Sequence, residues 1–339
     1  MKKVFKVFLI AIVMMALVIQ PVLANDKDSM ANHSEAITEE NEKAPSIRDE
    51  FSGRSIYPIT PDDKKWEEFT SKKEMLDACR ISQDILDEMT TDELIKAVLD
   101  FPLVINLYLY NSYEDGLEAL EEESDAFKEL LKRSDANEKL SNILNASNSN
   151  RMSFSSIESS NDSLDLVTLK ILQSKIDKSN LSKQFSSIKY VKTPKGSKVK
   201  VKKRGELLND EQRDIIKKDV KKKYPRATYV SKPTTNYNCH SYAWYKDSTS
   251  NKYWMDNPKK YMTDGSYKII SYTEAKKGTI VHYPMPKGTH SAIVYRSSGS
   301  INNAKKLYVI SKWGMGPLMK HYAGYGPYNS NHLTVWKEK

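Results

Sequence analysis

TTNYNCHSYAWYKD, residues 234–247, is the stretch on which the fold of the C-terminal part turns. Cys239 follows Asn238 and opens His240-Ser241-Tyr242-Ala243-Trp244, which has helical character, so the thiol is expected at a helix N-terminus. Aligned peptide dipoles and free backbone N–H groups favour a thiolate there, and the thiolate is the reactive form of cysteine. The same N–H groups, that of Cys239 included, stand where an oxyanion would be held. A buried structural cysteine is the competing interpretation, and a base set against the thiol is what separates the two.

Such a base is offered by KKGTIVHYPMPKGTHSAIVYRSSGS, residues 276–300. Two short strands, Thr279 to Tyr283 and His290 to Arg296, are joined by a Pro/Gly turn, and Ser297-Ser298-Gly299-Ser300 makes the next turn. His290 stands at the mouth of the second strand. From there it can point into a cleft while Ala292 and Val294, or Ile293 and Tyr295, fill the two faces of a sheet. A helix followed by antiparallel strands is the arrangement in which nucleophile and base come from facing elements.

This order of motifs resembles the papain-like cell-wall cysteine peptidases of the NlpC and CHAP kind. The likeness rests on a cysteine opening a helix, a Lys-Gly-Thr-Ile-Val-His-Tyr strand, and His-Ser-Ala-Ile-Val, and it covers the region from about Tyr224 to Lys339. It implies a small α+β fold and a thiolate–imidazolium pair that cleaves amide bonds in peptidoglycan stem peptides or at their sugar junction. Two positions depart from the family pattern: Thr279 follows Gly278 where aspartate is usual, and Asn238 precedes the nucleophile where aspartate is frequent. The third catalytic residue is open. The base needs an acceptor on its far nitrogen, and the candidates are His321, Ser311 on the strand LYVISKWGMG, a backbone carbonyl, and Asn329 or Asn331. The glycine- and aromatic-rich run from Lys312 to Tyr328 is expected to wall the cleft without forming a regular element.

The other histidines have simpler interpretations. His240 would face away from the thiol on a helix and serve packing or hydrogen bonding, and His282 alternates with Val281 and Tyr283 as a strand residue. A zinc site from Cys239, His282, His290 and His321 has suitable ligand types but no close-spaced ligand pair, so neither metal nor cofactor is expected. Paired carboxylates for glycoside hydrolysis are not evident, and no phosphate-binding glycine loop occurs.

Working toward the N-terminus, Asn209 to Lys223 is predicted helical: Asn209 and Gln212 match a capping pattern, Ile215, Ile216 and Val220 share a face, and Pro225 stops it. The segment KYVKTPKGSKVKVKKRGELL before it reads as a basic strand or extended arm. LDLVTLKILQSKI has helical periodicity, and NASNSNRMSFSSIESSNDS reads as a linker. Residues from about 70 to 144 carry helical spacing throughout, with starts at Thr91-Asp92-Glu93, Ser112-Tyr113-Glu114 and Ser134-Asp135. Residues 25–54 read as a disordered leader. The opening MKKVFKVFLIAIVMMALVIQPVLAND has the form of a secretory signal cut after Ala24. The expected organisation is signal peptide 1–24, leader 25–54, all-helical domain 55–145, linker and arm 146–204, and papain-like domain 205–339.

Only two cysteines occur, Cys79 and Cys239. Cys79 sits in a helical pattern and reads as a small buried apolar residue. The net charge of +9 conceals a division: residues 25–150 hold 14 basic and 30 acidic side chains, and residues 151–339 hold 36 and 14. Fifteen of the 20 tyrosines and five of the six histidines lie from Tyr224 onward, a composition that favours pockets as well as core.

The expectation is an α+β chain whose papain-like, antiparallel-sheet C-terminal domain follows an all-α domain, secreted or envelope-located. Cys239 attacks an amide carbonyl of peptidoglycan or a peptide, His290 shuttles the proton, and His321 or Ser311 completes the site. A non-catalytic envelope-associated binding module and a transglutaminase-like acyl transferase are the alternatives. The basic half would suit an anionic wall polymer; nucleic acid is not expected as a partner. Charge opposition suggests that the acidic helices contact or regulate the basic domain.

Overall fold

The computed structural model describes residues 55–153, 160–178, 187–284, 289–296 and 302–339. The expected signal peptide and leader lie outside these residues, as do residues 285–288 and 297–301, which belong to the two turns expected around His290–Arg296. Among the described residues, no helix is long and apolar enough to cross a membrane.

The N-terminal helices are α1 (Lys64–Glu68), α2 (Lys72–Asp77), α3 (Gln83–Glu88), α4 (Thr91–Leu99), α5 (Tyr113–Glu123), α6 (Asp125–Leu130), α7 (Ala136–Ser153) and α8 (Ser160–Ile176). Four of them, α2, α4, α5 and α6, start at a side-chain cap. Capping boxes at Ser71/Glu74 and Thr90/Glu93 satisfy the orphan N–H groups of α2 and α4. Between α4 and α5 the chain tightens into a 3₁₀ turn, Val104–Tyr108. Ser124 ends α5 and caps α6. The Ser/Asn-rich stretch expected to be a linker is partly helical instead: α7 runs on to Ser153 and α8 begins at Ser160. Asn and Ser disfavour a helix only mildly, and α8 docks on α7, with Gln173 donating to Ser141 Oγ at 2.7 Å.

The basic segment forms a hairpin, β1 (Ser187–Lys192) with β2 (Lys198–Lys203), and α9 (Asp210–Lys223) follows with the Asn209/Gln212 capping box. Then come β3 (Thr228–Ser231), α10 (Cys239–Trp244), α11 (Lys259–Thr263), β4 (Tyr267–Ile270), β5 (Ile280–Tyr283), β6 (His290–Arg296), β7 (Tyr308–Lys312), β8 (Leu318–Tyr322) and β9 (Thr334–Glu338). β3 to β9 build a seven-stranded sheet in the order β3-β8-β7-β6-β5-β9-β4, antiparallel at every pairing. The class is α+β. Contrary to expectation, part of the Lys312–Tyr328 run is regular, because Leu318–Tyr322 pairs with both β7 and β3.

Register divides the sheet into two faces. Tyr283 lies opposite His290, Val281 opposite Ala292, Val294 opposite Val309, and Val309 opposite His321. Strand alternation therefore puts these residues on one face. Val281, Tyr283, Ala292, Val294, Val309, Met319 and Val335 pack there in a continuous core with Trp66, Val98, Phe101, Tyr108 and Leu120 of the helical segment. The other face carries Ile280, Ser291, Ile293, Ile310 and Leu318 and receives α10. The helices and the sheet thus share one interior, and the described residues fall within one compact unit. The seam between the helices and the sheet is mainly apolar; the exposed ion pair of Lys222 in α9 with Asp62 adds little.

Candidate functional site

Asn238 starts the site by fixing α10. Its Oδ1 accepts from the backbone N–H of Ser241 and of Met255, both at 3.1 Å, and its Nδ2 donates to Met255 O at 2.8 Å. This caps the helix and pins its first residue, Cys239. Two residues of α10 then grip β6: Trp244 Nε1 donates to Ser291 Oγ at 2.8 Å, and His240 Nδ1 meets the same oxygen at 2.9 Å. His240 Nε2 reaches Thr289 Oγ1 at 3.1 Å. His240 is therefore a buried hydrogen-bonding residue, and the thiol is brought to the end of β6 at which His290 begins.

Cys239 and His290 are both buried. Burial pushes the Cys239 thiol up to about 11, against the backbone N–H of Ser291, the side chain of Asn111, the backbone N–H of His240 and the ammonium of Lys312, which act in the other direction. The thiol donates to Asn111 Oδ1 at 3.5 Å. His290 projects to the sheet face opposite α10. Its ring stacks on Tyr328 with centroids 3.5 Å apart and planes 12° apart, and it meets Tyr283 edge-on at 5.0 Å. Neither ring nitrogen of His290 has a hydrogen-bond partner. Burial, reinforced by His321, His240 and His282, holds its pKa well below the ordinary imidazole value.

Ser311 and His321 are brought together, with each other. Ser311 Oγ meets His321 Nε2 at 2.8 Å, His321 Nδ1 donates to Tyr322 O at 2.8 Å, and Trp313 Nε1 donates to both Ser311 Oγ and His321 Nε2 at 3.1 and 3.2 Å. Both nitrogens of His321 are thus engaged away from His290. Asn329 and Asn331 are exposed, and Asn331 Oδ1 accepts from Lys305. His282 is a half-buried strand residue. Cys79 is buried in the helical core, and both cysteines are free thiols. Among the described residues, no group of three or more His, Cys, Asp or Glu is arranged to hold a metal ion.

Three residues of the site were not legible as such. Asn111 arrives from the turn before α5, and no local signal marks it. Tyr328 lies in the aromatic run but without a distinguishing neighbour. Lys312 is fully buried and donates to the carbonyls of Thr234, Gly314 and Gly316 at 3.0, 2.6 and 2.6 Å. Burial lowers it to about 7. It ties the loop after β7 to the segment that leads into Cys239.

Behind Tyr328 lies a cavity of 510 Å³, walled by Lys72, Tyr110, Glu123 and Asn329 among others. Lys72 pairs with Glu123 and donates to Pro327 O, so the loop carrying Tyr328 is tethered to α2 and α5. No family model matches the chain, and neither curated proteins nor solved structures provide a match.

Proposed function

We propose that the chain is an exported thiol hydrolase of papain-like type that cleaves amide bonds, with peptidoglycan or a peptide as substrate. The observation that carries this is the buried His290. A polar side chain with two unpartnered nitrogens is costly to bury, and it stands on the residue next to Ser291, whose N–H supports the Cys239 thiolate. A buried imidazole with no hydrogen-bond partner, next in sequence to a residue that supports the thiolate, is better explained by chemistry than by packing.

In this reading His290 takes the thiol proton, Sγ attacks the carbonyl carbon, and backbone N–H groups at the start of α10 hold the oxyanion. The imidazolium then gives its proton to the leaving amine, and water releases the acyl group. Lys312, the cation acting on the thiol, favours the thiolate form. Tyr328, which covers His290, also lines the 510 Å³ cavity, and this supports the cavity as the side from which substrate approaches. The secretory opening of the sequence and the motif order support a wall substrate.

A second reading, a non-catalytic envelope-binding module, draws support from the β1–β2 hairpin. Its outward face sets Lys202, Lys200 and Lys198 opposite Ile188, Tyr190 and Lys192, and Ile188 and Tyr190 are exposed. Such a face suits an anionic polymer. Incubation of purified cell wall with the protein should release new amino groups, with Cys239→Ala and His290→Gln both inactive. Wall binding without release, equal in all three proteins, would overturn the hydrolase in favour of the module.

A further inference from the structure

The turn at residues 109–112, between the 3₁₀ helix and α5, reaches the site from the helical segment. Asn111 Nδ2 donates to Thr289 O at 3.0 Å, while its Oδ1 accepts from Asn238 Nδ2 at 3.0 Å and from Cys239 Sγ at 3.5 Å. This amide is not free to flip. Asn238 has its oxygen committed to two backbone N–H groups, so its nitrogen is the donor toward Asn111. The other end of Asn111 faces a carbonyl and must be its N–H₂. Asn111 is thereby obliged to turn a carbonyl oxygen to the sulfur. The Asn111 side chain as a whole counts among the groups that lower the thiol's pKa, but the atom that meets the sulfur is this oxygen, which can accept from a thiol and has nothing to donate to a thiolate.

The same turn also covers the base. Leu109 O accepts from Tyr328 Oη, the Tyr328 ring lies on His290, and Tyr110 Oη donates to Pro327 O at 2.9 Å. On its other side the turn is wedged against the loop after β7. Met315 N donates to Tyr108 O at 3.1 Å, and at Gly314, with φ of +48°, an added Cβ would stand 2.2 Å from Tyr110 O.

We propose that residues 109–111 are an autoinhibitory latch: Asn111 is a positioning residue that keeps Cys239 as the thiol, and Leu109, through Tyr328, keeps His290 covered. The proposal rests on the reading of Cys239 and His290 as nucleophile and base. With the latch seated, the proton stays on Sγ and is shared with Asn111 Oδ1. With it withdrawn, the S–H bond breaks, the proton passes to a His290 ring nitrogen, and the electron pair remains on sulfur. No other reactant is needed.

The test is the rate of alkylation of Cys239 by iodoacetamide in the full chain from pH 6 to 12, followed by peptide mass so that Cys79 is counted separately. Asn111→Ala should react about tenfold faster at pH 7, with a midpoint about one unit lower. Tyr328→Phe, which keeps the ring and loses the bond to Leu109, should shift the same way by less. Asn111→Asp, which keeps an acceptor on the sulfur, should remain slow; it and Tyr328→Phe decide the matter if Asn111→Ala does not fold. Wild-type rates and midpoints in folded Asn111→Ala and Tyr328→Phe would overturn the latch. Adding His290→Gln to Asn111→Ala separates the two assignments. A gain that vanishes supports both, and a gain that persists leaves the latch standing and removes His290 as base. If Asn111→Ala is inert while His290→Gln alone slows the wild-type thiol, the latch falls and the Cys239–His290 reading survives.

Discussion

The imidazole of His290 lies flat on the ring of Tyr328, 3.5 Å between centroids, and has no hydrogen-bond partner on either nitrogen. Stacking on an apolar face removes water from a cation without replacing its hydrogen bonds, so this histidine stays neutral in the folded state. The ring signals of His290 in a proton spectrum should not titrate between pH 5 and 8. In Tyr328→Ala they should titrate near the ordinary value of about 6.5. A wild-type titration in that range would show that the stack does not exclude water.

Three buried histidines make stability depend on acid. Burial lowers His240 to about 3, His321 to about 4 and His290 well below the usual range. A base whose folded pKa lies below its unfolded value of about 6.5 takes up protons first in the unfolded chain. The stability is fully present above about pH 6.5 and is lost as the pH falls from there toward the folded values. The melting temperature should drop over pH 6.5 to 4, with a shallower slope in His240→Gln. A flat profile would contradict the burial of these rings.

Lys312 reverses the usual expectation for a lysine. Its ammonium serves three carbonyl oxygens in a buried place, and Lys312→Met would leave all three without their donor. The cost should be about 3 kcal/mol or more in denaturant melts. With its folded pKa about 7, far below the unfolded lysine value of about 10.4, stability contributed by this group rises with pH between those limits. That rise, measured between pH 7.5 and 9, should be absent from Lys312→Met.

Gly314→Ala should lose about 2–4 kcal/mol of stability, since the residue has positive φ and no room beside the carbonyl of Tyr110. Folded molecules of this variant should also alkylate faster at Cys239, because the added methyl pushes the 109–112 turn away from the site. Unchanged melting would mean that the loop after β7 yields without cost.

Much of this was written locally. The capping pattern of Asn209 and Gln212, the apolar spacing of α9 and the alternation of His290–Arg296 each announce their element through neighbours in sequence. Cys239 opening a helix was legible for the same reason. The relation of Ser311 to His321 was not, because it depends on a register that places Val309 opposite His321 and so brings Ser311 diagonally beside it. Nor was the face of His290, which follows from parity along β6 once Ser291 is known to meet α10. Asn111 was the least accessible: its partners Cys239, Asn238 and Thr289 lie more than a hundred residues away, and only a folded chain makes them neighbours. The unbroken core was hidden too, since the composition changes sharply between segments that nevertheless pack on one another.

That core bears on how the proposed latch could be released. Trp66, Phe101 and Tyr108 cover the same sheet face as Val281, Ala292 and Val309, so cutting away the helices would strip the sheet bare and leave a fragment prone to aggregate. Removing the helices is therefore no route to release. A small displacement of one turn, by contrast, can be undone and repeated within the life of a single molecule.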